Sequence, residues 1–276
     1  MLLPLLAIAA QSPQLSANNY AVDEPLAVPV LQWSDEFDGE TLDRAKWQFD
    51  TSRNKAGWHN AELQYYSADR PENLRVRDGR LIIESRRDPE AIRHIADWGG
   101  QRYSSARINT RSLASFRYGF VEVRAKFPCA RGTWPAIWMM PEGDHRWPDG
   151  GEIDIAEYVG SIPQVVHATL HTQLFNHARS TQRGAQKSLP SACNAFHRYQ
   201  LLWRPDAITI ALDDRAYMRV RNDQPGGRGA WPFDQPFYLI LNLAIGGNWA
   251  GAKGIDDAAL PQRFEVDYVR VWKMPE

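Results

Sequence analysis

Alternation with a period of two limits what this chain can fold into. Val121-Glu122-Val123-Arg124-Ala125-Lys126-Phe127 sets apolar residues at every second position with charges between them. Ile208-Thr209-Ile210-Ala211-Leu212 follows the same beat more loosely. This is the pattern of a strand with one face in a core and the other in water. Asp213-Asp214 and Pro225-Gly226-Gly227 supply turn chemistry, and Gly79, Gly119, Gly132 and Gly246-Gly247 punctuate other runs. No window sustains a helical period beyond a turn or two. Many short strands between turn signals predict an all-β chain built as a β-sandwich. Ser67 to Pro71 and Ser180 to Ser191 read as surface loops, and no repeat, low-complexity tract or second domain is visible.

Within that frame, Gly151-Glu152-Ile153-Asp154-Ile155-Ala156-Glu157 is unusual, because three acids crowd into an apolar strand-like run. Glu152 and Asp154 share a face by simple alternation, which would send Glu157 to the other side. One extra residue, a bulge near Ile155 or Ala156, returns Glu157 to the face of the other two. Three like charges on one buried face are unfavourable unless chemistry or a metal uses them. A solvated acidic face and a hard-cation site are the competing readings.

The chemistry that needs two close carboxyls in opposite protonation states is cleavage of a glycosidic bond. Retaining enzymes hold them roughly 5–5.5 Å apart, one as nucleophile and one as acid and then base. With a bulge, Glu152 and Glu157 stand about four strand steps apart, roughly 13 Å of backbone, which twist and side-chain reach must close. Asp154 lies between them, placed to share a proton with Glu152.

The segment Gly151 to Gly160 resembles the signature of glycoside hydrolase family 16 in its bulged, laminarinase-like form. Other blocks resemble the same family in order: Trp33-Ser34-Asp35-Glu36-Phe37-Asp38-Gly39, Arg131 to Trp138, His167 to Thr172, Trp231 to Phe237, Asn242 to Trp249 and Val266 to Val271. The resemblance runs from about Leu31 to Trp272. It implies a jelly roll whose concave sheet forms an open substrate cleft. It also implies roles: Glu152 as nucleophile, Glu157 as acid/base and Asp154 as assisting acid. Trp134, Trp138 and Trp147 match aromatic positions along the sugar cleft, and His171 a histidine facing the catalytic strand. Arg107 looks like the arginine near the cleaved sugar, with Asn60 and Trp249 more peripheral. One departure is Ala156, where laminarinase-like members often carry methionine, and the expectation is a wider floor to the site. The resemblance further implies a structural calcium between the first and closing strands, at Glu36, the Gly79 carbonyl and Asp267, and no cofactor for the chemistry.

Composition fits this reading. The 276 residues suffice for one large domain, expected over 29–276, and the net charge of −1 gives no electrostatic case for nucleic acid or an anionic membrane. A neutral polymer and a monomeric enzyme are expected. The 11 tryptophans offer flat faces for pyranose rings, although core packing competes for each. Leu2 to Ala10 is an apolar run too short to span a bilayer, with Ala7-Ile8-Ala9 as a small-residue cleavage pattern but no basic residues before it. It predicts a secreted or periplasmic protein, with a disordered lead-in to about Val28. In an exported chain, Cys129 and Cys193 favour a disulfide over two buried thiols.

Other constellations are weaker. Pro225 to Gly229 is a plain turn, without the strand and helix of a phosphate loop. The seven histidines show no zinc spacing joined to cysteines. His167 and His171 lie four apart and face one side of a strand. The expected activity is therefore a secreted endo-β-1,3-glucanase acting with retention. A β-1,3-1,4-glucanase or an algal galactan hydrolase is the alternative within the same class. A non-catalytic glucan-binding module is the alternative outside it, disfavoured because all three acids are present.

Overall fold

The computed structural model describes residues 29–274. The apolar run Leu2–Ala10 and the lead-in to Val28 lie outside the described residues. Seventeen strands form two large antiparallel sheets and one small parallel pair among those residues. The outer sheet contains β1 (Val30–Asp35), β4 (Leu74–Val76), β5 (Leu81–Ser85), β8 (Gly119–Lys126), β13 (His197–Trp203), β14 (Ala207–Leu212), β15 (Arg215–Arg221) and β17 (Gln262–Lys273). The cleft sheet contains β2 (Gln48–Phe49), β7 (Arg107–Asn109), β9 (Thr133–Pro141), β10 (Glu152–Tyr158), β11 (Val165–His171), β12 (Arg183–Ser188) and β16 (Phe237–Ile245). β3 (Gln64–Tyr66) and β6 (Tyr103–Ser105) make the parallel pair. The cleft sheet runs in the order β12-β11-β10-β9-β16-β7-β2, which puts the acidic strand near its middle. This is the jelly roll expected from the alternation and the family resemblance.

The core forms where the two inward faces meet. From β8, Val121, Val123 and Ala125 point in, followed by Phe127, while Arg124 and Lys126 pair outward with Asp267 and Glu265. Phe127 stacks on Tyr199 with centroids 4.6 Å apart and approaches Phe264 at 5.3 Å and Tyr158 of β10 at 6.1 Å. It thus bridges the sheet that carries the acids to the sheet that supports them. Truncating so buried a ring to alanine costs about 3–5 kcal/mol. Cys129, just after β8, is disulfide-bonded to Cys193, just before β13, with Cα atoms 5.7 Å apart. The pairing expected from sequence is present.

One expected loop is a strand. Within Ser180 to Ser191, Arg183–Ser188 forms β12 at the edge of the cleft sheet, paired to β11 from Val165↔Ser188 to Leu170↔Arg183. Its sequence, Arg-Gly-Ala-Gln-Lys-Ser, is polar because an edge strand has one side to pack and charges there discourage pairing with other chains.

Candidate active site

The bulge is where the acids require it. Pairing between β10 and β11 runs Glu152↔His171, Ile153↔Leu170 and Asp154↔Thr169, then shifts and resumes at Glu157↔His167. Pairing with β9 shifts at the same place, between Asp154↔Trp138 and Ala156↔Ile137. Ile155 is therefore the extra residue, and Ile153, Ile155, Ala156 and Tyr158 all pack in the core while the three acids face the cleft. Gly151 sets the start of the strand. Its φ of +86° disfavours any side chain, and a Cβ there would stand 2.7 Å from Pro232 Cγ. The burial of Ala156 corrects the expectation for that position: its side chain is completely buried in the sandwich, so a methionine there would change core packing and not the floor of the cleft.

Each glutamate has its own indole donor. Trp147 Nε1 donates to Glu152 Oε2 at 2.5 Å, and Trp134 Nε1 donates to Glu157 Oε1 at 3.0 Å. His171 Nε2 lies 3.4 Å from Asp154 Oδ2. Burial, then repulsion from Asp154, pushes the Glu152 carboxyl up to about 8, with His171 and the Trp147 N–H pulling the other way. Burial pushes Asp154 up to about 7, and these two acids hydrogen-bond to each other. Burial, followed by the charges of Asp154 and Glu152, holds Glu157 well above the ordinary carboxyl range. Three acids this close, with Asp154 and Glu157 buried and Glu152 half-buried, cannot all ionise together. The hydrogen bond between Glu152 and Asp154 raises the former and lowers the latter, so at rest the shared proton favours Glu152, and attack by Glu152 requires that proton to pass to Asp154. Glu157 then keeps its own proton. Such a split gives one nucleophilic carboxylate and one carboxylic acid in a single cleft.

Of the other expected residues, Asn60, Arg107, Trp134, Trp138 and Trp147 line a cavity of about 470 Å³ with the acids, while His171 and Trp249 stand behind it against Trp147 and Trp134. The Arg107 guanidinium sits over the ring of Trp138 at 4.7 Å and over that of Trp58 at 5.1 Å, and its Nε donates to Asp50 at 2.8 Å. Trp138 Nε1 donates to Asn242 Oδ1 at 2.7 Å, fixing the amide so that its Nδ2 donates to the Tyr66 hydroxyl at 3.0 Å. Asn60 lines the same cavity with φ at 58°, a left-handed conformation that asparagine tolerates. Trp249 stands edge-on to Trp134, centroids 5.3 Å apart, on the Glu157 side. His171 and His167 do face one side of β11, opposite Glu152 and Glu157, and both are buried.

Sequence reasoning missed Glu62, Tyr238, Asn242, His177 and His167 as site residues. Asn242 was detectable as a lone amide in the apolar run Phe237–Ile245, and burial of Glu62 raises its carboxyl beside the cleft. His177 reaches the cleft from a short 3-10 turn and packs on Trp147 at 4.7 Å, which no periodicity could have signalled.

The expected metal ligands are arranged differently. Glu36 accepts from Arg270 through both oxygens, at 2.9 and 2.7 Å, and Asp267 accepts from Arg124 at 2.5 Å. Carboxylates already neutralised by guanidinium groups do not fit a calcium ion held by those side chains, with or without the Gly79 carbonyl. The only group of three or more acidic, histidine or cysteine ligand atoms among the described residues is Glu152, Asp154 and His171, mutually within 4.8 Å. That group is part of the acidic cluster of the cleft.

Comparisons with known proteins agree with this fold. The family model for glycosyl hydrolases family 16 matches residues 62–270. A β-glucanase of Rhodothermus marinus is 48% identical over 255 residues, covering 89% of this chain and 86% of that protein. The solved laminarinase of Rhodothermus marinus superposes with a TM-score of 0.84 at 47% identity, covering 91% of this chain and all of that one. A non-specific endo-β-1,3(4)-glucanase from the same family superposes with a TM-score of 0.88 at 47% identity, covering 96% of each chain.

Proposed function

The chain belongs to glycosyl hydrolases family 16 and is an endo-β-glucanase, and we propose that it cuts internal β-1,3 bonds of laminarin-like glucans by double displacement with retention. Glu152 attacks the anomeric carbon while Glu157 protonates the departing glycosidic oxygen. The resulting glycosyl-enzyme is opened by water, from which Glu157 now takes a proton. Asp154 holds the proton that Glu152 must lack to attack. Trp138, Asn242 and Arg107 position the sugar on one side of the acids, so that binding contributes to orientation. The chemistry needs no cofactor, and a structural calcium forms no part of it.

The observation that carries this reading is the bulge at Ile155, which brings Glu157 to the face of Glu152 and gives each its own indole N–H. Proton NMR of the first products from a β-glucan tests it. Initial β reducing ends are expected, and α ends would rule out double displacement. A mixed β-1,3(4) preference is the second reading, supported by the non-specific relative. Product analysis on laminarin, lichenan, agarose and carrageenan separates the two and also tests galactan cleavage. The protein is further read as exported and acting as a monomer. The apolar run Leu2–Ala10 and the extracellular location of long glucans support export.

A further inference from the structure

Outside the cleft, three separate segments bring a serine, a histidine and an aspartate into line. His197 opens β13 and pairs with Ala125, so it continues the inward face of the outer sheet to the end of that strand. Its side chain is 11% exposed. His197 Nδ1 lies 2.7 Å from Asp213 Oδ2, in the turn between β14 and β15. His197 Nε2 lies 3.0 Å from Ser191 Oγ, in the loop that precedes β13.

Hydrogen-bond chemistry fixes the direction of this relay. A carboxylate only accepts, so His197 Nδ1 carries a hydrogen and donates it to Asp213. Nε2 of the neutral ring is then an acceptor, and the Ser191 hydroxyl donates to it. Each end is held in place. Asp213 Oδ1 accepts the Arg198 N–H at 2.9 Å, and the Asp213 N–H donates to the Arg198 carbonyl at 2.9 Å. The Ser191 carbonyl accepts from the N–H groups of Asn194 and Ala195, at 2.9 and 3.0 Å, and Cys193 of the same turn carries the disulfide. Ser191 is half-buried, with Pro190 and Asn194 exposed on either side of it. The N–H groups of Ser191 and Cys193 meet no acceptor among the described residues, so two donors on the serine's own turn are free for a developing oxyanion. Tying that turn to β13 would need no hydroxyl aimed at the unprotonated ring nitrogen.

We propose that Ser191, His197 and Asp213 form a second hydrolytic centre, which cleaves short-chain acyl esters without using Glu152 or Glu157. Ser191 Oγ bonds to the ester carbonyl carbon while its proton passes to His197 Nε2. The bond from that carbon to the alcohol oxygen breaks, and Nε2 returns the proton to the departing alcohol. Water then attacks acyl-Ser191, giving one proton to Nε2, and the serine oxygen leaves with that proton as the free acid departs. The sum is ester plus water to acid plus alcohol, with no further reactant. Asp213 is the positioning residue, because it sets the tautomer of the ring. A half-buried serine between exposed neighbours suits a small acyl group on an alcohol that stays at the surface.

Ester turnover and a serine-directed label test it. The unaltered enzyme should release p-nitrophenol from p-nitrophenyl acetate, and Ser191→Ala should lower that rate at least about tenfold while cutting laminarin at the parent rate. Asp213→Asn, which takes away the carboxylate that orients the ring, should lower ester turnover as well. A merely structural tie would change Tm in these variants and leave ester turnover where it was. A fluorophosphonate probe should attach to Ser191 of the unaltered protein, read by peptide mass spectrometry, so the test does not depend on any variant folding. Equal ester turnover in the parent and Ser191→Ala overturns the proposal, as does a probe that leaves Ser191 unmodified. Glu152→Ala should keep full ester turnover, and its loss there would move the reaction into the cleft and overturn the second centre.

Discussion

Trp134 donates its indole hydrogen to Oε1 of Glu157 across 3.0 Å, and that bond opposes the upward push of burial on the same carboxyl. Trp134→Phe keeps a ring against Trp249 and removes the donor. The Glu157 carboxyl should then rise further, moving the alkaline limb of the kcat/KM profile to higher pH. Turnover should fall about tenfold, as for one lost bond to a charged group. A limb that moves to lower pH would show that the bond does not act on the ionised acid.

Replacing the two glutamates should produce different defects. Glu152→Ala is expected to lose at least about 10⁴-fold on every substrate, because no covalent intermediate can form. Glu157→Ala should lose roughly 10²–10⁴-fold on polymer and much less on an activated aryl glycoside, whose leaving group needs no proton. Azide should rescue Glu157→Ala to a β-glycosyl azide and Glu152→Ala to the α-azide. The reverse pairing of anomers would exchange the two roles.

Stability should depend on pH through the same acids. Folding raises Glu152 from 4.5 to about 8 and Asp154 from 3.8 to about 7. The folded chain thus holds these protons more tightly than the unfolded one. Their stabilisation is complete below the unfolded values, near pH 4, and is lost progressively as pH rises from there until it passes the folded values of about 7 and 8. Tm is therefore expected to fall across that window, by roughly 2–4 °C for each kcal/mol. Glu152→Gln should flatten the slope. Calorimetry from pH 5 to 9 checks this, and a variant with the parent's slope would refute it.

The Cys129–Cys193 bond closes a loop across a sequence separation of 64. Chain entropy over such a loop is worth on the order of 4 kcal/mol. Cys129→Ser together with Cys193→Ser should lower Tm by on the order of 10 °C. Thiol titration in denaturant without reductant should find no free thiol, and two equivalents would contradict the pairing.

Much of this site was legible in the sequence because strand physics is local. The alternation of Val121 to Phe127 names its own core face, and a shared face for Glu152, Asp154 and Glu157 requires the bulge that the pairing of β10 contains. The same bulge hid the fate of Ala156, since simple alternation gives no sign that Ile155 and Ala156, adjacent residues, both turn into the core. β12 escaped because its polar residues carry little hydrophobic signal, and only its pairing with β11 makes it a strand. His177 and the Arg270–Glu36 pair depend on contacts between distant segments, for which local spacing gives no sign.

The bulge has a mechanical consequence as well. β10 is held by its neighbours in two separate stretches, one ending at Asp154 and the other resuming at Ala156 on the β9 side and Glu157 on the β11 side. Ladder bonds are interrupted between them, and a bulge leaves its extra residue unpaired. Under the proposed roles, the nucleophile Glu152 rides on one stretch and the acid/base Glu157 on the other. Their separation is therefore expected to be the dimension of the cleft that the sheet clamps least. Faster amide exchange at Ile155 than at Ile153 and Tyr158 would reveal that compliance, and uniform protection along β10 would show the strand to be stiff throughout.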